Sequence, residues 1–176
     1  MKIALAQINP TVGDLSGNRR LAQEAAERAA SAGADVVVLP ELTLTGYPPM
    51  DLLERDRFVD DQLSELDELA KTSRQIAIVV GAVMRADAAR PKAIENAAVV
   101  LAEGRRVAYR SKTLLPTYDV FDETRYFAKA RGRSPVDVPG LDLSLGLAVC
   151  EDTWFQTRPY PVDPVAELAA RGAGVI

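Results

Sequence analysis

The sequence predicts an α/β protein, and three observations carry that expectation. The first forty residues read strand–helix–strand, a unit that favours a parallel pair joined by a right-handed crossover. Residues 35–39, DVVVL, are a β-branched run of the kind buried on both faces of a sheet. A second helical stretch and another apolar strand, IAIVVGAVM at 76–84, then repeat the alternation.

Taken in order, residues 3–8 are mostly apolar and read as a buried strand, broken by Asn9, Pro10, Gly13 and Asp14. Residues 15–32 have a helical period. Leu21, Ala25, Ala29 and Ala32 fall on one face, Arg20, Glu24, Glu27 and Arg28 lie mostly away from it, and Gly33 is a natural stop. Pro40 ends the second strand and Glu41 stands just past it. The following TLTGYPPMDLL carries Gly46, Pro48 and Pro49 and reads as a surface loop. A second helix is expected over 57–72. Its apolar stripe is Val59, Leu63, Leu66 and Ala70, with Asp60, Asp61, Glu65, Asp67 and Glu68 toward water.

After the strand 76–84, residues 85–93 read as a polar loop. A hairpin follows, with strands at 96–102 and 106–110 around the turn Glu103-Gly104-Arg105, and Lys112 lies just beyond it. Residues 114–127, LLPTYDVFDETRYF, are too rich in aromatics for an idle loop and too irregular for a helix or strand, so they are expected to fold against a site. Residues 129–140 read as an exposed loop and 141–149 as a buried strand that ends at Cys150. Pro159, Pro161 and Pro164 mark a turn, 165–171 a short helix capped by Gly172, and 173–176 the opening of another strand. On that last reading the chain is expected to be a fragment of a longer protein.

Composition narrows the function. The 176 residues suffice for one domain with a real core, and the 48% apolar and 26% charged fractions are those of an ordinary globular chain. A net charge of −4, with Lys and Arg scattered, argues against a nucleic-acid surface. No apolar run approaches the ~18 residues of a membrane span, and the N-terminus lacks the long apolar region of a signal peptide. One cysteine means no internal disulfide, so a cytoplasmic location is the default. The absence of histidine rules out Cys–His and Ser–His–Asp arrangements within the chain, and no zinc site of the usual kind is expected.

Cys150 alone reads either as a small packed hydrophobe or as a nucleophile. Glu41, Lys112 and Cys150 each follow a core strand, and ligands of α/β sheets gather at the carboxyl ends of strands. If those strands are neighbours, one pocket would hold a carboxylate, an ammonium and a thiol. Glu41 would then take the thiol proton, pass it to leaving ammonia and later activate water on a thioester. Lys112 would favour the thiolate and donate to the oxyanion, with the backbone N–H of Glu151 as a second donor. The other reading, a core cysteine and two surface charges, stays open on spacing alone.

The segments LPELTLTGYPPMDLL, YRSKTLLPTYDVFDETRYF and LGLAVCEDTWF, in this order, resemble the Glu–Lys–Cys motifs of the nitrilase (carbon–nitrogen hydrolase) superfamily. Within it they are similar to the glutaminase domains of glutamine-dependent NAD synthetases. The resemblance implies an α/β/β/α sandwich, truncated at its C-terminal side, with residues 1–176 as a partial hydrolase domain. It also implies hydrolysis of L-glutamine, with ammonia passing to a synthetase domain outside this chain that amidates deamido-NAD through an adenylated intermediate. ATP and Mg²⁺ would belong to that domain, and this chain would need no cofactor or metal. By motif position Glu41 is the base, Lys112 the oxyanion-stabilising lysine and Cys150 the nucleophile. Tyr118 matches a glutamine contact, Glu123 a second glutamate that orients the lysine, and Glu151 a supporting residue. Expected partners are L-glutamine, the chain's own synthetase domain and further copies in a homo-oligomer. The alternatives are a stand-alone amidase of the same superfamily, or a non-catalytic fragment whose bare sheet edge pairs with another chain.

Overall fold

Five strands form one sheet, side by side in chain order, in the computed structural model, which describes residues 1–89 and 92–176. Strands β1 (Ile3–Leu5), β2 (Val36–Val38) and β3 (Ala77–Arg85) are parallel. Strands β4 (Ile94–Ala102) and β5 (Arg105–Ser111) add an antiparallel hairpin. Its turn holds Glu103 and Gly104 at φ 55° and 78°, the left-handed pair that a tight hairpin needs. The loop expected at 85–93 begins one residue later than predicted, and its residues 90 and 91 lie outside the described residues.

The crossovers are α1 (Leu15–Ser31) and α2 (Asp56–Ala70), which pack on one face of the sheet against Val37, Ile78, Val80, Val99 and Leu101. The buried stripe of α1 is Ala22, Ala26 and Ala29, with Ala25 partly buried. Leu21 and Ala32, expected inside, are exposed. The cause is Asn18. Its amide donates to the carbonyls of Thr11 and Leu44 and accepts from the N–H of Thr11, which turns the helix one residue from its most hydrophobic face. The alanines there let the helix approach the sheet closely. On α2, Val59, Leu66 and Ala70 are buried as expected, joined by Gln62 and Leu69. Glu65 does not face water freely, because Arg19 of α1 pairs with it at 2.6 Å.

The other face of the sheet carries Val36, Val79, Ala98 and Val100. It is covered by a two-stranded sheet of β6 (Val136–Asp137) and β7 (Ser144–Leu145). Residues 141–149 keep the period of two: Leu141, Leu143, Leu145, Leu147 and Val149 all pack inward. Their ladder is nevertheless short. Only β6 and the bridge from Leu145 to Val175 reach them, so the long strand expected here contracts to two residues. Residues 129–140, expected as an exposed loop, instead supply β6 and bury Val136 and Val138. Outside this layer lies α4 (Pro164–Ala170). A β-carbon at Gly146 would sit 3.4 Å from the Cβ of Leu168, on the side away from Leu145. The layers therefore run helix, sheet, sheet, helix, the sandwich order that the sequence suggested.

Two departures concern strand β1. It is shorter than the expected 3–8, although Ala6 still donates to Val38. Leu5 is 82% exposed, because the second layer stops short of this edge and leaves an apolar cleft of about 200 Å³ beside Ile3, Val38 and Leu147. Among the described residues no helix is long and apolar enough to cross a membrane.

Candidate active site

The sheet brings Glu41, Lys112 and Cys150 to one place. Glu41 follows β2, and its backbone runs against the middle of β3. There Gly81 donates to Pro40 O at 3.2 Å, and a β-carbon at position 81 would lie 2.3 Å from Leu42 N and 2.6 Å from Glu41 Cα. A side chain at 81 would occupy the path of the chain that carries Glu41, which is why glycine stands inside this strand. Lys112 follows β5 directly, and its side chain is 0% exposed. Its ammonium donates to Glu41 Oε1 at 2.7 Å and to Glu123 Oε1 at 2.9 Å.

Glu123 opens the short helix α3 (Glu123–Tyr126), an element the irregular sequence of 114–127 had not suggested. The segment does fold against the site: Leu114, Leu115, Glu123 and Phe127 are buried. Burial pushes the Glu123 carboxyl up from its usual range, and the nearby Glu41 charge adds to this, while Lys112 pulls it down. For Lys112, burial works against the charge, but the two carboxylates outweigh it and the ammonium is held above the ordinary lysine value. Tyr47 donates to Glu123 Oε1 at 2.9 Å; its burial and this carboxylate push the phenol well up. Asn96, near the start of β4, donates to Glu41 Oε1 at 2.7 Å and reaches Glu123 Oε2 at 3.5 Å.

Cys150 is not the last residue of a long strand. It opens a 3-10 turn (Cys150–Thr153) with φ 43°, in the left-handed region that non-glycine residues rarely adopt. The residue is exposed, which sets aside the reading of a packed hydrophobe. Its thiol nonetheless titrates as a partly buried group. Burial, then the Glu41 charge and a hydrogen bond to it, push the pKa up to about 11, against the opposing pull of Lys112. The thiol is therefore neutral at physiological pH and lies within reach of a carboxylate that can take its proton.

Asp152 fastens this turn to the segment after Lys112. One oxygen accepts from the N–H groups of Thr113 and Leu114 at 3.0 and 2.8 Å, and the other accepts from Val149 at 3.1 Å. Burial raises its carboxyl, and the three N–H groups counter that. Glu151 is buried, and its two oxygens accept from Tyr118 at 2.7 Å and Tyr160 at 2.6 Å. The guanidinium of Arg158 lies 3.3 Å from the centre of the Tyr118 ring. Glu151 thus has a side-chain role that the sequence reading, which stressed its backbone N–H, did not give it. That N–H stands at the start of the 3-10 turn, where no carbonyl of its own helix lies behind it.

Sequence reasoning missed Tyr47, Gly81, Asn96 and Tyr160. One of them left a signal: Gly81 interrupts a β-branched strand, whereas Asn96, beside Glu95, reads only as the polar start of the strand 96–102. Among the described residues no group of three or more His, Cys, Asp or Glu could hold a metal ion.

The sequence model of the carbon-nitrogen hydrolase family matches residues 2–167. A glutamine-dependent NAD(+) synthetase of Synechocystis sp. is 40% identical over 183 aligned residues, which cover 99% of this chain and 32% of that protein. The chain therefore spans about a third of the length of the curated relatives it matches. Among solved structures, the glutamine-dependent NAD+ synthetase of Acinetobacter baumannii aligns with a TM-score of 0.78 at 31% identity, covering 88% of this chain and 28% of that one. An amidase from Nesterenkonia sp. AN1, solved after Michael addition of acrylamide at its active site cysteine, aligns with a TM-score of 0.79 at 27% identity, over 99% of this chain and 65% of that one. With a family match along nearly its whole length and a sandwich shared with both kinds of enzyme, the chain belongs to the carbon-nitrogen hydrolase family.

Proposed function

We propose that this chain carries the glutamine-hydrolysing chemistry of a glutamine-dependent NAD synthetase. The observation that supports it best is the convergence of Glu41, Lys112 and Cys150 from three distant segments, with Lys112 buried between Glu41 and Glu123. In this reading Glu41 takes the Cys150 proton as the sulfur attacks the side-chain amide carbon of glutamine. The carbonyl π electrons move to oxygen, and the Lys112 ammonium and the Glu151 N–H receive the oxyanion. Collapse breaks the C–N bond, and the proton on Glu41 leaves with the nitrogen as ammonia. Water, deprotonated by Glu41, then attacks the thioester and releases glutamate and the thiol. Tyr118 contacts the substrate beside Glu151. The ammonia serves amidation of deamido-NAD in a synthetase domain, where ATP and Mg²⁺ would act.

A second reading, a stand-alone amidase, is favoured by one observation. The Nesterenkonia amidase aligns over 99% of this chain with a TM-score of 0.79, the Acinetobacter synthetase over 88% with 0.78. Incubation with a diazo-ketone analogue of L-glutamine, followed by mass spectrometry, tests the first. A stoichiometric adduct on Cys150, blocked by L-glutamine and not by short aliphatic amides, is expected. Protection by the short amides alone would move the assignment to the amidase, and an unmodified Cys150 would remove both.

A further inference from the structure

We propose that Asn96 is a positioning residue that decides which oxygen of Glu41 moves the proton. The inference rests on the reading of Glu41 as the base. Two donors, Lys112 Nζ and Asn96 Nδ2, converge on Glu41 Oε1, each at 2.7 Å. Among the described residues no hydrogen bond from the protein's N–H or O–H groups reaches Oε2. One oxygen is thereby saturated, and the other is left as the atom that can receive a proton from the thiol. Lys112 alone could not secure this, because it also donates to Glu123 and sits as a point charge between two carboxylates. The planar amide of Asn96 spans the same two carboxylates from the strand behind them, with its weaker contact on Glu123 Oε2 at 3.5 Å.

The cost of the arrangement is visible. Asn96 is 0% exposed, and its Oδ1 is a buried acceptor without a hydrogen-bond partner. Such groups are uncommon and call for an explanation. Rotating the amide would aim Oδ1 at two carboxylates, so the orientation that leaves Oδ1 unpaired is the one that gives both of them a donor. Among the described residues the groups that face Glu41 are Lys112 after β5, Glu123 on α3, Cys150 on the 3-10 turn and Asn96 on β4, with Tyr47 acting at long range through its bond to Glu123.

Two variants separate positioning from bulk. Asn96→Leu keeps the volume and removes the donor, and Asn96→Ala removes both. In the enzyme as it exists, each is expected to lower kcat for amide hydrolysis by roughly 10- to 100-fold with KM within about threefold. Independently of turnover, the carboxylate infrared band that Glu41→Gln removes should shift in both Asn96 variants. A folded Asn96→Leu enzyme with the parental kcat and an unmoved Glu41 band overturns the proposal. A shifted band in a protein that leaves L-glutamine intact supports the assignment of Asn96 and overturns the substrate reading instead.

Discussion

Replacing Gly81 by alanine is the sharpest test of how the fold places Glu41, the proposed base. Gly81 has no left-handed backbone conformation to protect, so alanine is locally acceptable there. The penalty is contact alone. The added methyl would stand 2.3 Å from Leu42 N, 2.5 Å from Pro40 O and 2.6 Å from Glu41 Cα, all backbone atoms that cannot swing aside. Ordinary contact begins near 3.4 Å, so the segment 40–42 must retreat from β3 by about 1 Å. Overpacking of this size costs about 2 kcal/mol. For a domain of this length that lowers Tm by roughly 4–8 °C. The retreat also carries Glu41 away from Lys112, to which it is bonded at 2.7 Å, and a 1 Å misplacement of a catalytic group can cost about 100-fold in rate. Thermal unfolding and glutaminase turnover of Gly81→Ala, measured side by side, check both figures. An enzyme that melts normally and turns over at the parental rate would refute the reasoning, since the fold would then have room that its backbone contacts deny.

Two further predictions concern titration. The thiol at about 11 predicts that alkylation of Cys150 by iodoacetamide keeps rising above pH 10, and that Glu41→Gln, by removing a nearby negative charge, speeds alkylation at neutral pH while abolishing amide hydrolysis; a plateau near the ordinary thiol value of about 8.5 would contradict this. Asp152→Asn can still accept from Thr113 and Leu114 but turns an amide toward the Val149 N–H, so a loss of about 2 kcal/mol in denaturant unfolding is expected. Because burial raises the folded carboxyl above its unfolded value, Asp152 contributes most stability below about pH 4 and loses that contribution as pH rises through the folded value. The variant should flatten the pH dependence of the denaturant midpoint, and an unchanged slope would count against the assignment.

The α/β alternation was legible because strands buried on both faces leave long β-branched runs, and because α1 and α4 stop just before Gly33 and Gly172. The three reactive residues were legible as residues that follow strands, and the structure brings them together as that placement suggested. Other features were settled through space. Asn18 turned α1 by tying two loops that are remote in sequence, so the more hydrophobic face lost to a polar anchor. Residues 141–149 announced their period of two, yet the length of a ladder depends on its neighbours, and only β6 and Val175 reach them. Asn96 and Tyr47 became part of the site only once β4 and the loop after β2 were laid beside Lys112.

The left-handed turn at Cys150 sets a stability cost on having a side chain at that position. Glycine adopts φ 43° freely, whereas cysteine or alanine pays on the order of 1 kcal/mol there. Among variants of this chain, Cys150→Gly should therefore be more stable than either Cys150→Ala or the parent, by relief of backbone strain alone. A lineage that needed only the sandwich would drift to glycine at the start of this turn. Under the proposed mechanism the one sulfur of this chain's single cysteine stands at a strained position, so that its chemistry is set against the stability of the turn that carries it.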